Sequence, residues 1–195
     1  MQAGGEAAPH EFDPNRYINW RFFWDYSGGN FYENMCHQLA FWYKAMNLQI
    51  PKTVNMVGGV YLWKDDREVP DTMNVALEQP EEILFTWDSG FGNNELGSTE
   101  DVLGTDGTIA RGQQIRYLPQ KVNRPQGTEM VGNTRTGANE TKAHIQNFLD
   151  SIRGTATPNC PFEVGFRVAI ACRMAVDSYR QGRTLRWDAG KEEIG

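Results

Sequence analysis

Cysteine is scarce in this chain: three residues, Cys36, Cys160 and Cys172, with no Cys-x-x-Cys pair. That usage argues against a disulfide framework and against a structural zinc site. Histidine is as sparse. His10, His37 and His144 lie far apart without a His-x-x-x-His pair, so no metal site is marked. Basic runs are missing and the net charge is −6, which argues against binding nucleic acid through phosphate neutralisation. No apolar stretch approaches membrane-spanning length. The opening MQAGGEAAPHEFDPNRY lacks the apolar core of a secretory signal. Nor does any Gly-x-Gly-x-x-Gly follow a strand pattern, so the dinucleotide-binding fingerprint is missing too.

What is present suits one globular domain. The 195 residues are 39% hydrophobic, 12% aromatic and 23% charged, enough for a real core. Residues 1–18 read as an arm or linker of Gly, Ala, Pro and acidic residues, and residues 19–195 as the domain. Phe31, Met35, Leu39, Trp42 and Met46 form one helical stripe, with Asn30 as its expected N-cap and Gly28-Gly29 turning the chain into it. Strand patterns follow in KTVNMVGGVYLW, where Gly58-Gly59 suggests a bulge or bend, and in DTMNVALE and EEILFTWDS. Two more flank a Thr105-Asp106-Gly107 hairpin turn, and QQIRYLP is a further one. Residues 119–139 read as a long surface loop. Two helices close the chain. The first has an apolar face of His144, Ile145, Phe148, Leu149 and Ile152. The last begins near Pro161, ends at Arg180 and Gly182, and packs through Phe166, Ile170 and Met174. The expected fold is α+β: an open, mainly antiparallel sheet covered on one face by helices.

One stretch, NWRFFWDYSGGNFYENMCHQL, stands out. On an α-helix Glu33 and His37 are neighbours four residues apart, off the apolar stripe. A carboxylate beside an imidazole favours its protonated form and fixes the ring, and such a histidine can take a proton from a hydroxyl. Trp20, Phe22, Phe23, Trp24 and Tyr26 offer flat apolar faces for a sugar ring, and Arg21 and Asp25 offer partners for its hydroxyls. Each feature also has a structural reading. Glu33 completes a capping box with Asn30. His37 read alone is a satisfied boundary histidine, and the aromatic run read alone is core or interface.

Three segments together resemble the Gfo/Idh/MocA oxidoreductases across roughly residues 15–190. DYSGGNFYENMCHQL looks like the family's Gly-Gly motif, in which an acidic residue precedes a histidine by four positions. EDVLGTDGTI is similar to its strand–turn–strand signature. HIQNFLDSIRGTATPNCPFEVGFRVAIACRMAVDSYRQGRTLRWD resembles its closing helix pair, with Ser178, Gly182 and Arg183. The resemblance implies a two-domain enzyme, with a Rossmann domain holding NAD or NADP and a C-terminal domain completing the substrate site and making oligomer contacts through its sheet. The chemistry implied is hydride transfer on sugars, polyols or glycosides. His37 matches the histidine that removes the hydroxyl proton, and Glu33 takes the place of a substrate-binding aspartate. Trp20, Arg21, Trp24, Asp25, Tyr26 and Asn34 are candidate sugar contacts. The chain departs from the pattern at Glu33 (for Asp), Met35 (for Gly) and Ala40 (for Asp).

The resemblance covers the C-terminal domain alone, and the family's Glu-Lys-Pro lysine has no counterpart here. The chain is expected to work with a Rossmann domain supplied in cis or in trans, to be inactive without it, and to form homo-oligomers through an exposed apolar sheet face. The alternative is a standalone carbohydrate-binding or oligomerisation module without redox activity. No nucleic-acid or membrane partner is expected. Cysteine usage fits a cytoplasmic location, with export of the folded full-length enzyme as the second possibility.

Overall fold

The computed structural model describes residues 8–95, 97–112, 114–120, 122, 129–133 and 140–195. In chain order the elements are α1 (Pro14–Ile18), a 3-10 turn (Trp20–Phe22), a π-helical turn (Phe31–Met35), α2 (Cys36–Met46), β1 (Thr53–Gly59), β2 (Thr72–Glu78) and β3 (Leu84–Gly90). Next come β4 (Glu100–Leu103), β5 (Gly107–Arg111), β6 (Gln114–Pro119), β7 (Met130–Asn133) and α3 (Glu140–Ile152). The chain closes with α4 (Phe162–Gln181), β8 (Leu185–Asp188) and β9 (Glu193–Ile194). Two compact units result: Met1–Asn93 with Cys160–Gly195, and Asn94–Asn159. The fold is α+β and mainly antiparallel, as expected, with the described strands arranged in a five-stranded and a four-stranded sheet.

In the first unit the sheet order is β3-β2-β1-β8-β9, and its pairings are antiparallel. Strand alternation sends Val54, Met56, Met73, Val75, Leu77 and Leu185 to one face, where they meet Phe31, Met35, Leu39 and Tyr43 from one helix and Val168, Cys172, Met174 and Ala175 from α4. Burying each large side chain of this set contributes about 1.5–3 kcal/mol. The packing face of α4 is shifted from the expected one: Met174 is buried, Ile170 is half-buried and Phe166 is exposed. The other sheet face is mostly polar, with Thr53 bonded to Glu78, Asn55 to Thr184 and Asn74 to Asp88. The exposed apolar sheet face expected from the sequence is therefore not on this sheet, because alternation places these polar residues outward; Val57 and Leu84 are its exposed apolar members.

Gly58-Gly59 makes no bulge. The β1–β2 register is continuous from Thr53 opposite Glu78 to Gly59 opposite Thr72. The glycines instead allow close approach, since a Cβ on Gly58 would lie 2.4 Å from the Thr72 carbonyl oxygen and one on Gly59 2.5 Å from the Tyr61 ring. Ser178 explains part of the closing motif: its buried hydroxyl accepts from the Met56 N–H at 3.0 Å and donates to the Arg183 carbonyl at 2.7 Å. Gly182, at φ +64°, ends α4 so that β8 can join β1. The sequence reading missed β8.

The second unit has sheet order β4-β5-β6-β7. The β4–β5 hairpin turns at Thr105-Asp106-Gly107 as the Asp-Gly signal implies. β7 lies inside the stretch read as a loop, and residues 121, 123–128 and 134–139 of that stretch lie outside the described residues. The apolar side of α3, expected to pack, is exposed at Ile145, Phe148, Leu149 and Ile152.

Candidate active site

Two glycines turn the aromatic segment into its helix. A Cβ on Gly28 would lie 2.6 Å from Tyr32 Cβ, and Gly29 takes φ +82° with Val69 packed against it. The helix opens as the π-turn Phe31–Met35, a rare geometry frequent at functional sites. Asn30 is not the N-cap: its backbone is already helical, and its amide donates to Ser89 Oγ at 2.9 Å. Ser27 takes the local polar role. Its buried hydroxyl accepts from the Gly29 N–H at 2.9 Å and donates to Glu33 Oε1 at 3.0 Å.

Glu33 is thereby fixed from two sides, because Arg21 Nε donates to its Oε2 at 3.1 Å. The Arg21 guanidinium also lies 4.2 Å over the Trp20 ring, so Trp20, Arg21, Ser27 and Glu33 form one cluster. Each Glu33 oxygen keeps a lone pair for a further donor. His37 is exposed, and among the described residues no hydrogen bond joins it to Glu33. The expected carboxylate–imidazole contact depends on α-helical stacking, which the π-turn alters. Between them, the Cys36 thiol donates to the Glu33 carbonyl at 3.4 Å, and burial pushes that thiol up, which suits packing rather than nucleophilic chemistry.

The other candidates separate into groups. Trp24 packs at the core rim against Phe31 and Tyr179, with ring centroids 6.2 and 6.0 Å away. Asp25 pairs with Arg16 at 3.1 Å. The Tyr26 hydroxyl bonds the His10 ring, and the exposed Asn34 amide bonds Asn30. Sequence reasoning missed Arg16 and Glu68, which hold this segment in place. Glu68 accepts from Arg16 Nη2 at 2.7 Å and from the Trp24 N–H at 2.9 Å, while its own N–H donates to the Phe22 carbonyl at 2.9 Å. These partners are 44 to 52 residues apart, so no local pattern could reveal them.

The described strand pairings are antiparallel, and a 3-10 turn rather than a strand leads toward Gly28-Gly29. Among the described residues, no group of three or more His, Cys, Asp and Glu side chains could hold a metal, and no helix is long and apolar enough to cross a membrane.

Residues 8–186 match the oxidoreductase family, C-terminal alpha/beta domain, of the Gfo/Idh/MocA proteins; the chain belongs to this family. Among solved structures it is similar to an aldose-aldose oxidoreductase from Caulobacter crescentus complexed with glycerol, at 19% identity and TM-score 0.66, covering 86% of this chain and 50% of that one. It is also similar to the WlbA dehydrogenase from Bordetella pertussis in complex with NADH and UDP-GlcNAcA, at 16% identity and TM-score 0.56, covering 90% and 51%. An oxidoreductase from Agrobacterium radiobacter with NAD+, L-tartaric acid and magnesium shares 14% identity at TM-score 0.62, covering 90% and 53%. The chain thus spans about half the length of these structures, and the likeness is one of fold. Among curated proteins there is no match.

Proposed function

We propose that this domain is the substrate-binding and proton-removing half of a nicotinamide-dependent oxidoreductase that acts on a hydroxyl of a sugar, polyol or glycoside. The observation that supports this most is His37, an exposed imidazole one turn beyond a glutamate held by Ser27 and Arg21. Alcohol oxidation removes a proton from oxygen and a hydride from carbon. His37 takes the proton. Glu33 accepts a substrate hydroxyl through its remaining lone pairs, and Trp20, Arg21 and Asn34 line the same helix start. Asp25, Tyr26 and Trp24 act behind them, positioning the segment and closing its edge. NAD or NADP, which accepts the hydride, belongs to a Rossmann domain supplied in cis or in trans, so this chain alone does not turn over.

The solved relatives support the substrate class, since one holds glycerol and another a nucleotide sugar. Exposed apolar residues on one face of the second sheet, Ile109 on β5 and Met130 on β7, each in register with Tyr117 of β6, support self-association through that sheet. A single monomer peak in light scattering at micromolar concentration contradicts it. Reduction of NAD or NADP by the complete enzyme, assayed across sugars and polyols, tests the main reading. Activity with at least one of them, lost in His37→Asn at an unchanged melting temperature, is the expected result. Near-normal turnover in that variant overturns it. Saccharide binding that ignores His37 and yields no redox chemistry with any partner domain favours a binding module instead.

A further inference from the structure

The connection between β1 and β2 is a surface loop organised with unusual care. Asp71 at its end is fully buried, at 0% exposure. Its carboxylate accepts the successive backbone N–H groups of Tyr61, Leu62 and Trp63 at 3.1, 3.0 and 3.0 Å, and the Thr72 hydroxyl at 3.0 Å. Burial alone would raise its pKa, but these donors outweigh that and hold it below the usual carboxylate range. Arg67 is the second anchor. Its guanidinium is pinned by both oxygens of Asp65, at 2.7 and 2.6 Å, and lies between the Phe22 and Trp63 rings, 4.1 and 4.5 Å from their centroids.

These anchors present rings to solvent. Tyr61 is 67% exposed, Trp63 37% and Phe91 47%. Trp63 and Phe91 face each other at 5.1 Å with their planes 42° apart, an open V. Tyr61 lies on Gly59, which is in register with Thr72 and, through it, with Gly90 just before Phe91. The rings therefore sit across one end of the sheet. Phe22 joins the stack to the Trp20–Phe22 turn beside Glu33.

We infer that Trp63 and Phe91, with Tyr61, form a saccharide subsite that takes a second sugar ring next to the one that reacts. This rests on the proposed sugar-oxidising function for the meaning of "next", but not for the binding itself. A rigid, exposed aromatic surface suits the apolar C–H face of a pyranose. The Trp63 indole N–H has no hydrogen-bond partner among the described residues and can serve a hydroxyl of the ring. The free area is on the order of 400 Å², well short of the ~800 Å² per partner of a specific protein interface, so the surface is ring-sized.

Two-dimensional NMR of the full chain, observed at the Trp63 indole N–H, tests the subsite with maltose, cellobiose and lactose as probes. At least one disaccharide should shift that resonance saturably at millimolar concentrations. Trp63→Ala, followed through the backbone amides of the still folded chain, should weaken that binding about tenfold, beyond the modest fall in melting temperature that loss of its stacking on Arg67 brings. Phe91→Ala should weaken it severalfold. No response at Trp63 to any of the three, or unchanged affinity in both variants, overturns the subsite. The response should persist in His37→Asn, so a failed proton-removal role and a failed subsite give different results.

Discussion

The two units of this protein use their apolar residues in opposite ways. In Met1–Asn93 with Cys160–Gly195, helix and strand stripes meet, and Phe31, Met35, Leu39, Val75, Leu77 and Met174 are fully buried. In Asn94–Asn159 none of the described residues is buried, although the sequence patterns are just as amphipathic. The difference teaches that patterning alone does not make a core: an apolar face needs a partner. It also locates rigidity. The proposed site hangs on the unit with the core, where Phe31, Met35 and Leu39 anchor the helix that carries Glu33 and His37.

Substitutions can break this contrast. Leu39→Ala should cost about 2–5 kcal/mol in urea unfolding, because the site is fully packed. Ser178→Ala should cost about 1–3 kcal/mol, since it strands the Met56 N–H and deprives the Arg183 carbonyl of its donor. A change within ±0.5 kcal/mol at either position would remove the distinction. Acid sharpens it at one loop. The Asp71 carboxyl is held below its unfolded value, so its contribution is present above about pH 4 and is lost as the pH falls through the depressed folded value. Amide protection at Tyr61, Leu62 and Trp63, taken relative to the intrinsic exchange rate at each pH, should fall in that acid range and should be reduced at neutral pH in Asp71→Asn. The smallest effect belongs to the second unit. Phe148→Ser should change stability by less than about 0.5 kcal/mol, because the ring is exposed.

Much of the first unit was readable from periodicity. The stripe from Phe31 to Trp42, the alternation of β2 and the Gly182 stop of α4 are local signals, and the structure follows them. The misses have physical causes. The π-turn has no marker in the residues it contains, and Glu33 there bonds Ser27 and Arg21 rather than His37. Asn30 looks like a cap, yet the better local hydroxyl is Ser27, three residues earlier. Arg16, Glu68 and Asp71 act across long sequence separations or by satisfying backbone groups, which no spacing rule detects. The short strand β8 hides behind the helix stop and becomes an inner strand only because Ser178 and Gly182 deliver it to β1.

The most direct test is a single-turnover measurement of hydride transfer in the complete enzyme, comparing wild type with His37→Asn at saturating substrate. This isolates chemistry from binding and product release. The account predicts a rate at least 100-fold lower with substrate affinity and unfolding free energy nearly unchanged, as removal of a positioned base requires. A rate within a fewfold of wild type, or a loss explained wholly by weaker substrate binding, would contradict the assignment of His37.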